Sequence, residues 1–430
     1  MSRAWRLGLW PLLTFAVAAA RPDAGFGRAT FRDLREPQAY AALMDADATA
    51  FEMGQRVLNT QWVPAGTPRA GRIDGLGPLF NVGSCDGCHN DGARGRGIDG
   101  DGPAPSSLVL QLAVPGGGGD SVYGHMLNAA SIAGLAPEAK VRVEYATRSG
   151  RYADGKAWVL REPRYRIDDL SDGPLSIATV VQPRLPPALY GTGLLERIDD
   201  VQRRHWRDDP RARRDGIRGT LAGRFGWQGG SVSIAGQTAK AFAREMGLTT
   251  RLMPVDDCTP SQVRCRLPDG GSPEVSDELF GAVLRFQQLL AVPKAVPKAI
   301  REPDEVRGAY LFAAAGCALC HRPAANVRFD DGATATIRPY SDLLLHDLGP
   351  GLADRDVAGR VVASRWRTAP LWGAGLQPRV GKPAYLHDGR AVSLEEAVLW
   401  HDGEAAAARV RFLRFSAACR ADLLRWLATR

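Results

Sequence analysis

Beyond its first twenty residues this chain has no apolar run approaching the roughly 20 consecutive residues that a membrane-spanning helix needs, so no span is expected. Blocks of like charge are missing too. The formal net charge is +8, yet the basic residues, arginine far ahead of lysine, are scattered rather than gathered into a run that would grip nucleic acid. Histidine and cysteine are scarce, seven of each. What is present is ordinary for a globular chain: 45% hydrophobic and 24% charged residues, over 430 positions that suffice for two or three domains. The exception is the start. Arg3 and Arg6 precede the apolar run from Leu7 to Ala19, and "AVAAA" offers the small residues a signal peptidase cuts after. Residues 1–20 read as a secretory signal, which predicts an exported, periplasmic protein with a mature start near Arg21.

Four of the seven cysteines fall into two identical patterns, "CDGCH" at 85–89 and "CALCH" at 317–321. C-x-x-C-H is the attachment signature of a c-type haem. Two thiols about one helical turn apart can add to the two vinyl groups along one haem edge, and the next histidine is then set beneath the porphyrin as an iron ligand. Cys85, Cys88, Cys317 and Cys320 are thus the expected attachment points, with His89 and His321 as metal ligands. Competing chemistries fare worse. A thioredoxin-like pair would want a flanking βαβ pattern, a zinc site would need further Cys or His close by, and plain disulfides leave both adjacent histidines unexplained. Cys258 and Cys265 have no neighbouring histidine and read as a small-loop disulfide in an oxidising compartment; Cys419 reads as a buried free thiol on the last helix.

"YLHDGRAVSLEEAVLWHDGEA", residues 385–405, holds a short helix by its pattern. Ser393 and Glu396 form a capping box, and Leu394, Ala397, Val398 and His401 follow at i, i+3, i+4 and i+7. A titratable imidazole therefore shares the apolar face. Elsewhere "EVRGAYLFAAAGCALCH" reads as a helix running into a haem motif and "ADLLRWLA" as a closing helix, while residues 141–167 alternate in the strand manner around "SG" and "DG" turns.

With these pieces in hand the chain resembles the di-haem oxidoreductase family, within the superfamily of bacterial di-haem cytochrome c peroxidases and MauG-type enzymes. The matching stretches are "LGPLFNVGSCDGCHNDGARG", "RFGWQGGSVSIAGQTAKAFAREMGLT", "LFAAAGCALCHRP", "SDLLLHDLGPGLAD", "RWRTAPLWG" and the 385–405 segment. The resemblance implies a mainly α chain of two cytochrome c-like haem domains: residues 21–270 with a small β insertion near 141–167, then residues 271–430, divided in or after the loop "MPVDDCTPSQVRCRLPDGGSPEVS". It implies two covalently bound haem c groups and a calcium ion between the domains. The superfamily's second distal ligand, methionine in the peroxidases and tyrosine in MauG-type proteins, lies fourteen residues after the Y-x-H-D-G histidine; here that position is His401. Bis-histidine ligation lowers the potential relative to Met/His ligation.

A haem closed on both faces relays electrons, so the resemblance puts chemistry at the first haem. Glu196, in "PRLPPALYGTGLLERIDD", is the expected catalytic carboxylate, with Asp199 and Asp200 as alternatives. His125 or Met126 could instead close that haem. His346 could contact a propionate or support an axial histidine, Trp366 and Arg367 could lie between the haems, and His205 reads as surface. The implied activity is reduction of hydrogen peroxide or another small oxidant, with electrons from a donor protein or small redox carrier. A non-catalytic di-haem electron-transfer cytochrome and a MauG-like oxidase of a partner protein remain alternatives.

Overall fold

The computed structural model describes residues 26–30, 44–67, 73–98, 100–265, 271–294, 302–380 and 382–430. The expected signal at 1–20 lies outside the described residues. Among those described, no helix is long and apolar enough to cross a membrane.

Helices form where apolar periodicity and capping residues coincide. Met44–Asn59 packs on Asp277–Leu289, whose Ser276 hydroxyl accepts the Leu279 N–H. The two approach closely at Gly54, where a Cβ would lie 2.1 Å from the Ala282 carbonyl oxygen. Glu302–Ala315 ends at Gly316, left-handed at φ 88°, and turns into the short helix Cys317–Leu319 of the second signature. The closing helix Ala417–Leu427 lies against Glu302–Ala315, and Gly308 permits the contact: a Cβ there would meet the Trp426 Cβ at 2.2 Å.

Mainly α is not what the structure shows. Helix accounts for 32% of the chain and strand for 22%, so the fold is mixed α and β. Most strands run two to five residues, too short to display a period of two, and their pairing joins segments distant in sequence. The five-stranded antiparallel sheet runs in the order Val361–Ala363, Asp354–Asp356, Val180–Arg184, Val109–Ala113, Met126–Leu127. Only tertiary packing brings 354–363 beside 109–184.

One long hairpin is visible in the residue alternation: Lys140–Arg151 pairs antiparallel with Ala157–Asp168. It reaches over the C-terminal segment. Tyr152 donates its hydroxyl to Glu395 at 2.7 Å, Tyr165 donates to Asp388 at 2.9 Å, and Asp154 at the tip accepts from Arg420 at 2.8 Å. The core under it mixes the halves as well, with Tyr152, Leu160 and Trp227 packed among Trp366, Trp400 and Phe412. Cys258 and Cys265 are disulfide-bonded. Cys419 is a free thiol as expected, though half-buried rather than buried, beside Arg307.

Candidate functional site

Both signatures open onto one cavity of about 540 Å3. In the first, Ser84 caps the turn Cys85–Cys88 by accepting the Gly87 N–H at 3.1 Å, and the His89 N–H donates to the Cys85 carbonyl at 2.9 Å. In the second, the His321 N–H donates to the Cys317 carbonyl at 2.9 Å. The histidine N–H thus closes the same bond in both, while Ser84 caps the first turn and Gly316 leads into the second without a side-chain cap.

The two histidines face different surroundings. His321 donates its Nδ1–H to the Tyr340 carbonyl at 2.9 Å. A carbonyl only accepts, so the contact fixes the tautomer and leaves Nε2 with its lone pair. His401 does the same with the Ala397 carbonyl at 2.7 Å. It sits just past the helix Leu394–Trp400, which Ser393 caps by accepting the Glu396 N–H. The Glu396 carboxylate in turn accepts the Val392 N–H at 3.1 Å. Leu394, Ala397, Val398 and His401 all line the cavity. The His321 and His401 ring centroids are 6.4 Å apart. Two imidazole–metal bonds of about 2 Å plus two ring half-widths of about 1.1 Å come to roughly 6.2 Å, so the pair is spaced to hold one metal between them. Burial depresses both imidazoles, His321 to about 4 with the neighbouring His401 adding to the effect, which keeps them neutral as ligation requires.

Among the described residues no imidazole ring pairs with His89, and its Nδ1 has no hydrogen-bond partner of ordinary geometry. Burial holds it down to about 4, against the opposing backbone of Pro187 and Ala93. On this side the cavity wall carries Glu245, the last residue of the helix Ile234–Glu245. Its carboxyl has no hydrogen-bond partner among the described residues. Burial raises it to about 7, with Arg244 pulling the other way. It is close enough for its charge to push up the Cys85 and Cys88 thiols, which burial already raises.

Glu196 sits at the opposite end of that helix. Its carboxylate accepts the Ile234 N–H at 2.8 Å, and it does not line the cavity. Asp199 caps the helix Asp200–Arg207 and Asp200 pairs with Arg203 and Arg224. His125 is held by Asp257, 2.7 Å from Nδ1, outside the cavity wall, whereas Met126 lines it. His205 is exposed. His346 is clamped between Asp342 at 3.0 Å and Glu404 at 2.9 Å. Asp342 and the Cys320 sulfur outweigh burial and hold it well above the ordinary histidine range.

Trp366 and Arg367 are buried and line the cavity. The indole stacks on the His387 ring at 3.7 Å with 10° between planes, and Arg184 lies 4.7 Å over the indole. Arg184 also makes a bidentate pair with Asp354 at 2.8 and 2.6 Å.

A family description, "di-haem oxidoreductase, putative peroxidase", matches residues 207–429, just over half of the chain. The chain belongs to the di-haem oxidoreductase family. No curated protein and no solved structure gives a match. Haem is accordingly the cofactor of this di-haem oxidoreductase. The cavity fits such a group. Arg94 is half-buried over the Trp227 ring at 4.9 Å, and its Nε and one terminal nitrogen are buried without partners among the described residues. Burial lowers it, and Arg367, to about 10. Buried guanidinium N–H groups without acceptors are costly and call for an anionic occupant, and haem brings carboxylates.

Glu245 and Arg94 were missed by sequence reasoning. A glutamate closing an amphipathic helix and an arginine in a glycine-rich loop look like surface residues until the cavity is closed around them.

Proposed function

We propose that this di-haem oxidoreductase is an exported, periplasmic peroxidase-type enzyme. In this reading Cys85, Cys88 and His89 would hold the haem at which the oxidant is reduced, and Cys317, Cys320, His321 and His401 would hold the one that passes electrons on. The observation that carries it is the asymmetry within one cavity: an imidazole pair 6.4 Å apart on one side, a lone imidazole and an unpartnered carboxyl on the other.

The chemistry haem supplies when bound is redox: hydrogen peroxide, two electrons and two protons become two waters. The residues do the rest. Arg94, with its unpartnered nitrogens, and Arg367 would face haem carboxylates in an apolar enclosure, while Arg184 stays paired with Asp354. Glu245, which burial holds near 7, can take the peroxide proton and return it to the leaving oxygen, the task for which a matched carboxyl is suited. We assign it that role in place of Glu196, whose carboxylate is engaged at the Ile234 N–H. Electrons are expected from a small donor protein or redox carrier.

Met126 supports a second reading. Its side chain lines the cavity, and a thioether closing the N-terminal iron would make the protein an electron carrier. Electron paramagnetic resonance and electronic spectra of the oxidised, haem-loaded protein separate the two. High-spin signal from half the iron supports the peroxidase. Two low-spin haems would replace it with the carrier, and absence of thioether-linked mass would sink both.

A further inference from the structure

An aromatic ladder leaves the cavity behind His321. The Phe312 ring lies 6.4 Å from the His321 ring and 4.9 Å from the Trp426 indole. Tyr340 stands edge-on to both, 6.0 Å from Phe312 and 5.6 Å from Trp426, and its carbonyl takes the His321 Nδ1–H. Trp426 donates its Nε1–H to the Glu305 carboxylate at 3.0 Å, and that carboxylate is half-exposed. Arg430 locks the outer end: it pairs with Glu305 at 2.6 Å, donates to the Tyr340 hydroxyl at 3.1 Å and lies 4.2 Å over the indole. The assembly is costly to arrange by chance, since Gly308 is needed for the indole to sit where it does. No ring contact reaches His89 among the described residues, so the ladder serves one signature only.

We infer that Trp426, with Phe312 and Tyr340, is the route by which electrons pass between the protein surface at Glu305 and the C-terminal haem. The inference rests on that haem being held at His321. Trp426 is a relay residue that touches neither substrate nor haem. The rings act as a bridge: an electron from a one-electron donor protein at the surface tunnels through the indole and the Phe312 ring to the haem, and no residue is itself oxidised. The donor loses one electron, the haem gains one, and no covalent bond is changed. Arg430 and Glu305 hold the indole in line. Val306 and Tyr310, exposed on the same helix as Glu305, give the donor an apolar surface beside the entry point.

The test uses full-length haem-loaded protein with Cys419→Ser and Val306→Cys, carrying a ruthenium–bipyridyl photoreductant on the new thiol. Flash photolysis then follows reduction of the C-terminal haem. Trp426→Phe, which keeps a ring of similar shape, should slow that reduction by on the order of tenfold or more. Glu305→Gln should slow it less, by loosening the hold on the indole. The same label at Val201→Cys, off the ladder, should report a rate indifferent to Trp426→Phe. An unchanged rate from Val306 would overturn the inference and leave the peroxidase reading standing. Equal slowing from both labels, or a shifted midpoint potential of the haem in Trp426→Phe, would assign the indole to packing and also overturn it. Failure of the parent to show any haem reduction would remove the reading on which it rests.

Discussion

The two C-x-x-C-H turns share the bond from the histidine N–H to the first cysteine's carbonyl and differ in what surrounds them. Around 317–321 the protein supplies a second imidazole at 6.4 Å, a carbonyl for each Nδ1–H and rings running outward from His321. Around 85–89, among the described residues, no imidazole ring pairs with His89, Nδ1 has no hydrogen-bond partner of ordinary geometry, and a half-buried carboxyl and a half-buried guanidinium stand at the cavity wall. The three letters the signatures share thus mark equivalent turns, whereas the surroundings of each are set in part by side chains distant in the chain, His401 80 residues past His321 and Glu245 156 past His89. A relay benefits from two strong ligands, and a reaction centre needs a vacancy and a proton carrier.

The sharpest way to break this contrast is to remove the carboxyl on the open side. Glu245→Gln should cut peroxide turnover by about 10²–10⁴-fold while leaving both haem spectra in place. Turnover near the parent rate would return the role to another group. Next, His401→Met should leave the C-terminal haem low-spin and raise its midpoint potential by on the order of 100 mV, well inside the roughly 0.8 V that axial ligands command. An unchanged potential would remove His401 as a ligand.

The pH profile sharpens the same comparison more gently. Glu245 must be ionised to take the first proton, and burial raises it to about 7, so turnover should climb as pH rises through about 7 and flatten above. That inflection should vanish in Glu245→Gln, measured as turnover against pH at constant ionic strength. The smallest effect tests the other end of the same helix. Glu196→Ala removes the acceptor of the Ile234 N–H and should cost about 1 kcal/mol in denaturant midpoint, with turnover largely kept. A loss of turnover matching that of Glu245→Gln would reverse the assignment of the two carboxylates.

Much of this was legible in the residues, and for stated reasons. The helix at 394–400 announces itself through Ser393 and the spacing of Leu394, Ala397 and Val398, and the same spacing puts His401 on the apolar face. The 140–168 hairpin shows because its strands are long enough to alternate. The five-stranded sheet was hidden because strands such as Val361–Ala363 are too short to carry a period and pair with partners far away. Glu196 and Glu245 illustrate the limit best. Both are glutamates bounding one helix, and nothing local distinguishes a carboxylate that accepts the Ile234 N–H from one facing a cavity.

What the sequence determined alone is covalent and local chemistry: two thiol pairs, each with its adjacent histidine, and the capped helix that carries His401, because turn geometry and helical spacing span only a few residues. What the tertiary structure decided is which imidazole meets another, where the unpartnered Glu245 carboxyl points and which rings line up from His321 to the surface. Those depend on long-range packing and on desolvation, and burial is a property that no short stretch of residues possesses by itself.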